Sequence, residues 1–369
     1  MKITGCRIVT PSGEIERGTL LIEKGIIKDV YPWIEDGERL DGMIVVPSFV
    51  DLHTHGISGY DFMKEDVEGQ LQGMSKEYMK HGVTHFLPTT VSSPLTHMIR
   101  VLRDFVEVEG SVPVGVHFEG PYINKAMKGA QNPSYIRDAN LREIKEIISM
   151  NFKKFLTITL APEVGNNFEV IPELVEKGIR VSLGHTNADF DTAVKAINAG
   201  ADRITHLFNA MRPFHHRDPG IILAALQSDI LTEVIADGIH VNPEVIRFVV
   251  KVKGSSKVVV VTDSISATDL KDGEYELGGL KVNVKGGIAK TEDGKLAGST
   301  ITMEKEFSNL IRWGIPLKDA VLMTSTNASR YMGLNTGEIS KGKEANLVVL
   351  DEKMNLKRVY LKGEIIYEN

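Results

Sequence analysis

Five apolar runs of this 369-residue chain each end in a side chain that can bind a metal ion or carry a proton. His53 and His55 follow IVVPSFVDL, Glu119 follows VPVGVHF, His185 follows IRVSLG, His206 follows ADRIT, and Asp263 follows VVVVT. Glu119 with His185 and His206 has the composition of a catalytic zinc-type site, three protein ligands with a position left open for water. His53 and His55 are two residues apart, so in a strand both imidazoles point to one side and can reach one ion. A buried carboxylate at Glu119 needs a cation, and its sequence neighbours supply no arginine. Asp263 is placed to take a proton from a water beside the metal and return it to a leaving group. The alternative for Asp263 is a helix N-cap, but the ISATD that follows Ser264 offers no clear helix start. Each histidine alone is more often a satisfied core residue; their succession at strand ends carries the metal reading.

Two further residues could meet a substrate. His240, in Asp237-Gly238-Ile239-His240, is a candidate to polarise a carbonyl oxygen. Arg217, in the His215–Gly220 loop, reads equally well as a phosphate clamp or as a solvated surface arginine. His81, His85, His97, His117, His215 and His216 read as structural or surface residues.

Ligands from separate strands converge only if the sheet closes. Eight runs rich in Val, Ile and Leu read as strands: Met43–Leu52, Thr84–Thr90, Val112–Phe118, Phe155–Leu160, Arg180–Leu183, Ala201–Thr205, Leu231–Ala236 and Lys257–Thr262. Their near-continuous hydrophobicity suits parallel strands buried on both faces. Helical periodicity fills the gaps, as in Val67–His81, Leu95–Val108, Leu141–Met150, Ala188–Ala199 and Pro243–Val252. Strict alternation over eight units predicts an α/β fold, a (β/α)8 TIM-like barrel whose site lies at the C-terminal strand ends. An open doubly wound sheet is the alternative, but it would not aim strands one, three, five and six at one point.

Both chain ends read differently. KITGCRIVT, the alternating TLLIEKGIIKDV, NLVVLD and RVYLKGEIIY are strand-like, and neither end alone supplies a stable sheet. Residues 1–49 plus 336–369 are therefore expected to form one small β-sandwich domain, with residues 50–335 as the catalytic barrel. The Gly-rich stretch after Lys271 reads as a β-hairpin beside the barrel mouth, followed by helices around Met303–Trp313 and Pro316–Met332.

Bulk composition sets the class of partner. A formal charge of −6 argues against nucleic acid or an anionic membrane surface, while leaving room for a small anionic substrate. A single cysteine, Cys6, excludes an intramolecular disulfide and a Cys-based zinc site, and reads as an apolar filler of the first strand. There is no signal-peptide pattern and no run of about 20 apolar residues, so a cytoplasmic enzyme is expected.

Seven segments occur in order: HFEGPY at His117–Tyr122, KGAQNP at Lys128–Pro133, GHT at Gly184–Thr186, HLFNAM at His206–Met211, ADGIHV at Ala236–Val241, VTDS at Val261–Ser264 and LAGS at Leu296–Ser299. With them the whole chain resembles the amidohydrolase superfamily and, within it, the N-acetylglucosamine-6-phosphate deacetylase family. The resemblance implies metal ligation by Glu119, His185 and His206, with Glu119 replacing the carboxylated lysine of many relatives, and Asp263 as base and then acid. It implies substrate contacts from Ala130, Gln131, Asn209, Ala210, Arg217, His240 and the backbone of Leu296, Ala297 and Gly298. Retention of His53 and His55 makes one or two metals per subunit possible, Zn²⁺ and Fe²⁺ both accepting this donor set. At Gln131 many members carry histidine, and at Ser264 alanine is common. The implied reaction is hydrolysis of N-acetyl-D-glucosamine 6-phosphate to glucosamine 6-phosphate and acetate, in amino-sugar catabolism and cell-wall recycling. Family members are usually dimers, in which Arg217 would reach the phosphate in the neighbouring subunit. Two rival readings are weaker. Cyclic-amide hydrolases and nucleobase deaminases commonly use a lysine at the fourth strand end, where this chain has TLAPE. A non-catalytic sensor barrel would not need Asp263.

Overall fold

The computed structural model describes residues 1–369. Its centre is a parallel barrel of eight strands: Phe49–Thr54, Val83–Thr90, Gly115–Glu119, Phe155–Leu160, Arg180–Leu183, Arg203–Ile204, Leu231–Val234 and Val258–Val260. Consecutive strands pair in parallel register, and the eighth meets the first through Asp263 N–H to His53 O (2.9 Å) and His55 N–H to Ser264 O (2.8 Å). These closing bonds lie at the C-terminal ends, among the chemistry-bearing residues. The strands are buried on both faces, apart from exposed Arg180 and half-buried Phe155 at strand starts, as their Val/Ile/Leu content requires. Helices such as Val67–Met79, Leu95–Asp104, Leu141–Ser149, Phe190–Asn198 and Pro243–Lys253 occupy the expected intervals, with shorter ones at Ile171–Glu176 and Gly220–Gln227.

Two of the expected strands are each two strands. The run Met43–Leu52 divides at Ser48: Ile44–Pro47 pairs with Leu347–Leu350 and Lys2–Thr10 in a second sheet, whereas Phe49–Thr54 opens the barrel. Pro47 has no N–H to continue a ladder, and the chain changes sheet in one step. Ser48 N–H bonds Asn346 O (3.0 Å) and Phe49 N–H bonds Gly82 O (2.9 Å). The run Val112–Phe118 likewise divides into Val112–Pro113 and Gly115–Glu119. Gly115 runs so close to its neighbour that a Cβ there would sit 1.8 Å from Phe155 O.

The chain ends contribute one continuous sheet, in the order Glu364–Glu368, Leu356–Leu361, Leu347–Leu350, Ile44–Pro47, Lys2–Thr10, Gly13–Glu23 and Ile26–Tyr31, with Glu38–Arg39 alongside Lys2–Thr10. It curls until Ile27 N–H reaches Lys343 O and Ala345 N–H reaches Gly25 O, both at 2.8 Å. Inside that curl Ile3, Cys6, Ile8, Leu20, Val45, Leu347 and Tyr360 form a separate core. Burial pushes the Cys6 thiol up to about 11, which suits an inert filler.

The Gly-rich stretch is a three-stranded meander, Gly273–Leu277, Leu280–Lys285 and Ile288–Thr291, rather than a single hairpin. Gly278-Gly279 and Gly286-Gly287 all have positive φ, so each pair reverses the chain once. The last expected helix runs as Leu317–Val321, a π turn at Leu322–Thr326 and Asn327–Met332, in which Ser325 Oγ donates to Ser48 O (2.7 Å). No helix is long and apolar enough to cross a membrane.

Candidate active site

The strand ends deliver their ligand-type side chains to one place. His206 Nε2 lies 2.8 Å and His185 Nε2 3.1 Å from Glu119 Oε1, and the two imidazole nitrogens are 3.1 Å apart. On the other side His53 Nε2 is 3.4 Å from Glu119 Oε1 and His55 Nε2 is 3.6 Å from Glu119 Oε2. Asp263 Oδ1 faces this second pair, 3.0 Å from His55 Nε2 and 3.4 Å from His53 Nε2. Two three-ligand groups result, sharing Glu119. The turn into the cavity is made by unusual backbone. His185, His206 and Asp263 have φ of 49°, 28° and 49°, a left-handed region that costs a non-glycine residue about 1–3 kcal/mol and persists where surroundings enforce it.

The other ring nitrogen of three histidines is already committed. His185 Nδ1 donates to Met127 O (2.9 Å), His55 Nδ1 to Thr89 O (3.0 Å), and His53 Nδ1 meets the Glu233 carboxylate (3.0 Å). A ring that donates through Nδ1 presents a lone pair at Nε2, the form that binds metal. His53 Nε2 has no hydrogen-bond partner although buried. Lone pairs crowded around one carboxylate repel unless a cation stands among them, so the donor set fits a divalent metal ion.

The electrostatics agree. Burial lowers the affinity of His206 for a proton, but its hydrogen bond to Glu119 and the Glu119 charge overcome this and push it up to about 9. His55 is raised to about 9 in the same way, burial being outweighed by Asp263. Burial opposes ionisation of Glu119 and Asp263, yet the surrounding histidines hold both below the usual carboxylate range. Protons and a metal compete for the same sites, and a bound cation displaces the protons.

Several supporting residues were not singled out from sequence. Glu233, fully buried, contacts His53 Nδ1, accepts the His206 N–H (3.0 Å), and pairs with the equally buried Arg203 through Nε (3.2 Å). Its readable signal was a charge inside the apolar strand Leu231–Val234, repeated by Arg203 in the preceding strand. Asp237 accepts from the His240 N–H (2.8 Å) and meets its Nδ1 at 2.6 Å, leaving Nε2 as the free nitrogen. The signal there was only an i, i+3 spacing. Gln131, read from sequence as a substrate contact, donates to Glu119 Oε2 (2.6 Å) while its oxygen accepts the Ser92 N–H (2.5 Å).

A cavity of about 340 Å³ opens above this cluster, within the range of small-molecule sites. Glu119, His185, His206, His55, Asp263 and His240 line it, as do Ala130, Gln131, Asn209, Ala210, Leu296 and Gly298. His53 lies beneath, fully buried. Two expected substrate contacts do not line it. The Ala297 side chain turns away: it joins the core of the meander, and its N–H bonds Ala289 O (3.1 Å). Arg217 sits in an exposed loop with its guanidinium 2.8 Å from His216 Nε2. Gly298 is constrained, since a Cβ there would lie 2.7 Å from Asp263 O.

Comparison with known proteins follows the same outline. The amidohydrolase family model matches residues 44–366. N-acetylglucosamine-6-phosphate deacetylase of Bacillus subtilis (strain 168) is 35% identical, over 98% of this chain and 95% of its own length. The crystal structure of the deacetylase of that name from Thermotoga maritima superposes with a TM-score of 0.89 at 36% identity, covering 100% of both chains. A mutant of the Mycobacterium smegmatis deacetylase, solved in complex with N-acetyl-D-glucosamine-6-phosphate, gives 0.92 at 31% identity over 99% of each chain. The chain belongs to the amidohydrolase family and, within it, to the N-acetylglucosamine-6-phosphate deacetylases.

Proposed function

We propose that the chain hydrolyses the acetamide of N-acetyl-D-glucosamine 6-phosphate, releasing acetate and glucosamine 6-phosphate. The observation that carries this reading is a carboxylate, Asp263, held 3.0 Å from His55 Nε2 beside the Glu119, His185 and His206 cluster at the floor of a sugar-sized cavity. A divalent cation held by Glu119, His185 and His206 supplies a Lewis acid and lowers the pKa of water. Asp263, facing His55 and His53 beside that cluster, accepts the proton of the attacking water. His240, its Nδ1 held by the Asp237 carboxylate, turns Nε2 to the carbonyl oxygen and, carrying a proton there, donates to it as negative charge develops. Asp263 then passes its proton to the departing amine. Gln131 steadies Glu119 and presents no charge to the sugar. Asn209, Ala210, Leu296 and Gly298 form the wall against which the sugar rests.

Glu119, His185 and His206, together with His53 and His55, would hold one or two Zn²⁺ or Fe²⁺ ions per subunit. The protein acts as a cytoplasmic homodimer in amino-sugar catabolism and cell-wall recycling. The dimer is supported by the exposed Arg217 loop, where Phe214 is 53% exposed. There Arg217 serves the substrate of the second copy.

The test is acetate release from N-acetylglucosamine 6-phosphate, with bound metal counted in the same sample. Turnover by metal-loaded protein supports the assignment. Fully loaded protein that releases no acetate refutes it and leaves only the metal cluster.

A further inference from the structure

A sugar phosphate brings about 1.5–2 negative charges into this cavity. The cavity already contains the Glu119 and Asp263 carboxylates, in a chain of net charge −6. A divalent cation at the Glu119 cluster would offset those carboxylates rather than the phosphate. Arg217 of the same chain lies in an exposed loop outside the cavity, so any counter-charge this chain gives its own phosphate comes from another residue. Among the eighteen residues lining the cavity, Lys295 is the single lysine or arginine. It sits where the meander returns to the barrel mouth: Thr291 N–H bonds Lys295 O (2.9 Å), and Leu296, the next residue, forms the wall. Lys128, at the end of the Lys125–Met127 turn, lies nearby although it does not itself line the cavity. Both ammonium groups lie 3.8 Å from Asp293 Oδ2, and Thr291 Oγ1 donates to Asp293 Oδ1 (2.5 Å). One carboxylate shared by two lysines leaves one positive charge over. Lys295 remains 47% and Lys128 22% exposed at the side chain, so neither is locked into a closed ion pair.

We infer that Lys295, seconded by Lys128 across Asp293, is a phosphate-recognition element supplied by the chain to its own cavity, and that it sets the preference for phosphorylated over unphosphorylated sugar. The inference rests on the deacetylase reading for its substrate. A lysine is suited to the task as a compact point charge on a flexible stem that follows a phosphate without demanding one geometry.

The experiment compares wild type, Lys295→Ala, Lys295→Arg, Lys128→Ala and Arg217→Ala for hydrolysis of N-acetylglucosamine 6-phosphate and N-acetylglucosamine. Binding of glucosamine 6-phosphate and glucosamine is measured by calorimetry on the same samples. Lys295→Ala is expected to lower the preference for the phosphorylated sugar about tenfold, with the loss in KM rather than kcat. Lys295→Arg should recover most of that loss, and Lys128→Ala should show a smaller one. A preference within twofold of wild type in Lys295→Ala overturns the inference, as does an equal loss on both sugars. Collapse of the preference in Arg217→Ala alone also overturns it, by placing the whole phosphate site on the second copy. Wild-type protein that hydrolyses neither sugar contradicts the deacetylase reading separately. The Lys295 assignment is then decided by glucosamine 6-phosphate binding, where a tenfold loss in Lys295→Ala supports it and unchanged affinity overturns it.

Discussion

The floor and the rim of the cavity are built on opposite plans. At the floor each histidine but His206 has its outer nitrogen tied to a carbonyl or a carboxylate, and Glu119 is held by Gln131. These side chains are almost wholly buried, and three of the strand-end residues bear strained backbone. At the rim, Lys295 and Lys128 share a carboxylate at 3.8 Å, and Arg217 rests on a neighbouring histidine in an exposed loop. Chemistry needs ligands fixed to fractions of an ångström, whereas a phosphate can be held by mobile charges. Substitutions at the floor should therefore cost turnover and metal, and those at the rim should cost substrate affinity.

The largest effect is expected for Glu119→Gln. It removes the anion shared by both ligand groups, and turnover should fall by at least about 10³-fold, the several kcal/mol that a Lewis acid contributes. Elemental analysis should find the metal largely gone; full metal content would show that histidines alone suffice and break the contrast at its root. Glu233→Gln comes next. Weakening the support of His53 and leaving Arg203 without its counter-charge should reduce metal affinity by about 10–100-fold, read by competition with a chelator. Unchanged affinity would mean that His53 is no ligand.

Glu233 also shows what a single sequence conceals. The strand-end residues were legible because each one interrupts or ends a run of apolar residues, and a barrel makes such ends converge. The contact between His53 and Glu233 spans 180 positions and is visible only after the barrel closes. The same holds for the handover at Ser48, where a single apolar run serves two sheets because its proline stops one ladder. Gln131 was legible as a position but not as a partner of Glu119, since nothing in KGAQNP says which way an amide turns. Leu296 and Gly298 line the cavity while the Ala297 side chain enters the core of the meander, an arrangement that rests on the left-handed backbone of Gly298 (φ 57°) and that nothing in LAGS announces.

Smaller effects belong to the rim and beyond. Arg217→Ala should raise KM for the phosphorylated sugar about tenfold with metal content intact. A loss of metal instead would tie that loop to the floor. Glu306→Gln, in the Met303–Arg312 helix packed against the first barrel strand, should barely alter turnover. Its carboxyl is fully buried, accepts the Ala236 N–H (2.8 Å), and is held well above its ordinary 4.5 by burial and by Asp51. The folded state thus keeps a proton that the unfolded chain releases, and stability falls as pH rises from about 4.5 through the raised folded value. Glutamine mimics the neutral acid, so thermal melts of this variant should lose that part of the slope while matching wild type near pH 4.5 to within about 1 kcal/mol. An unchanged slope would mean that Glu306 ionises freely.

The most direct test of the whole account is Asp263→Asn, with bound metal and acetate release measured in one sample. Asparagine keeps the shape of the side chain and removes its capacity to carry the proton. The expected result is metal content equal to wild type with turnover of N-acetylglucosamine 6-phosphate reduced by about 10²–10⁴-fold, the usual contribution of a positioned acid–base group. Near-normal turnover in metal-loaded protein would contradict it and move the proton transfer to another residue of the cavity.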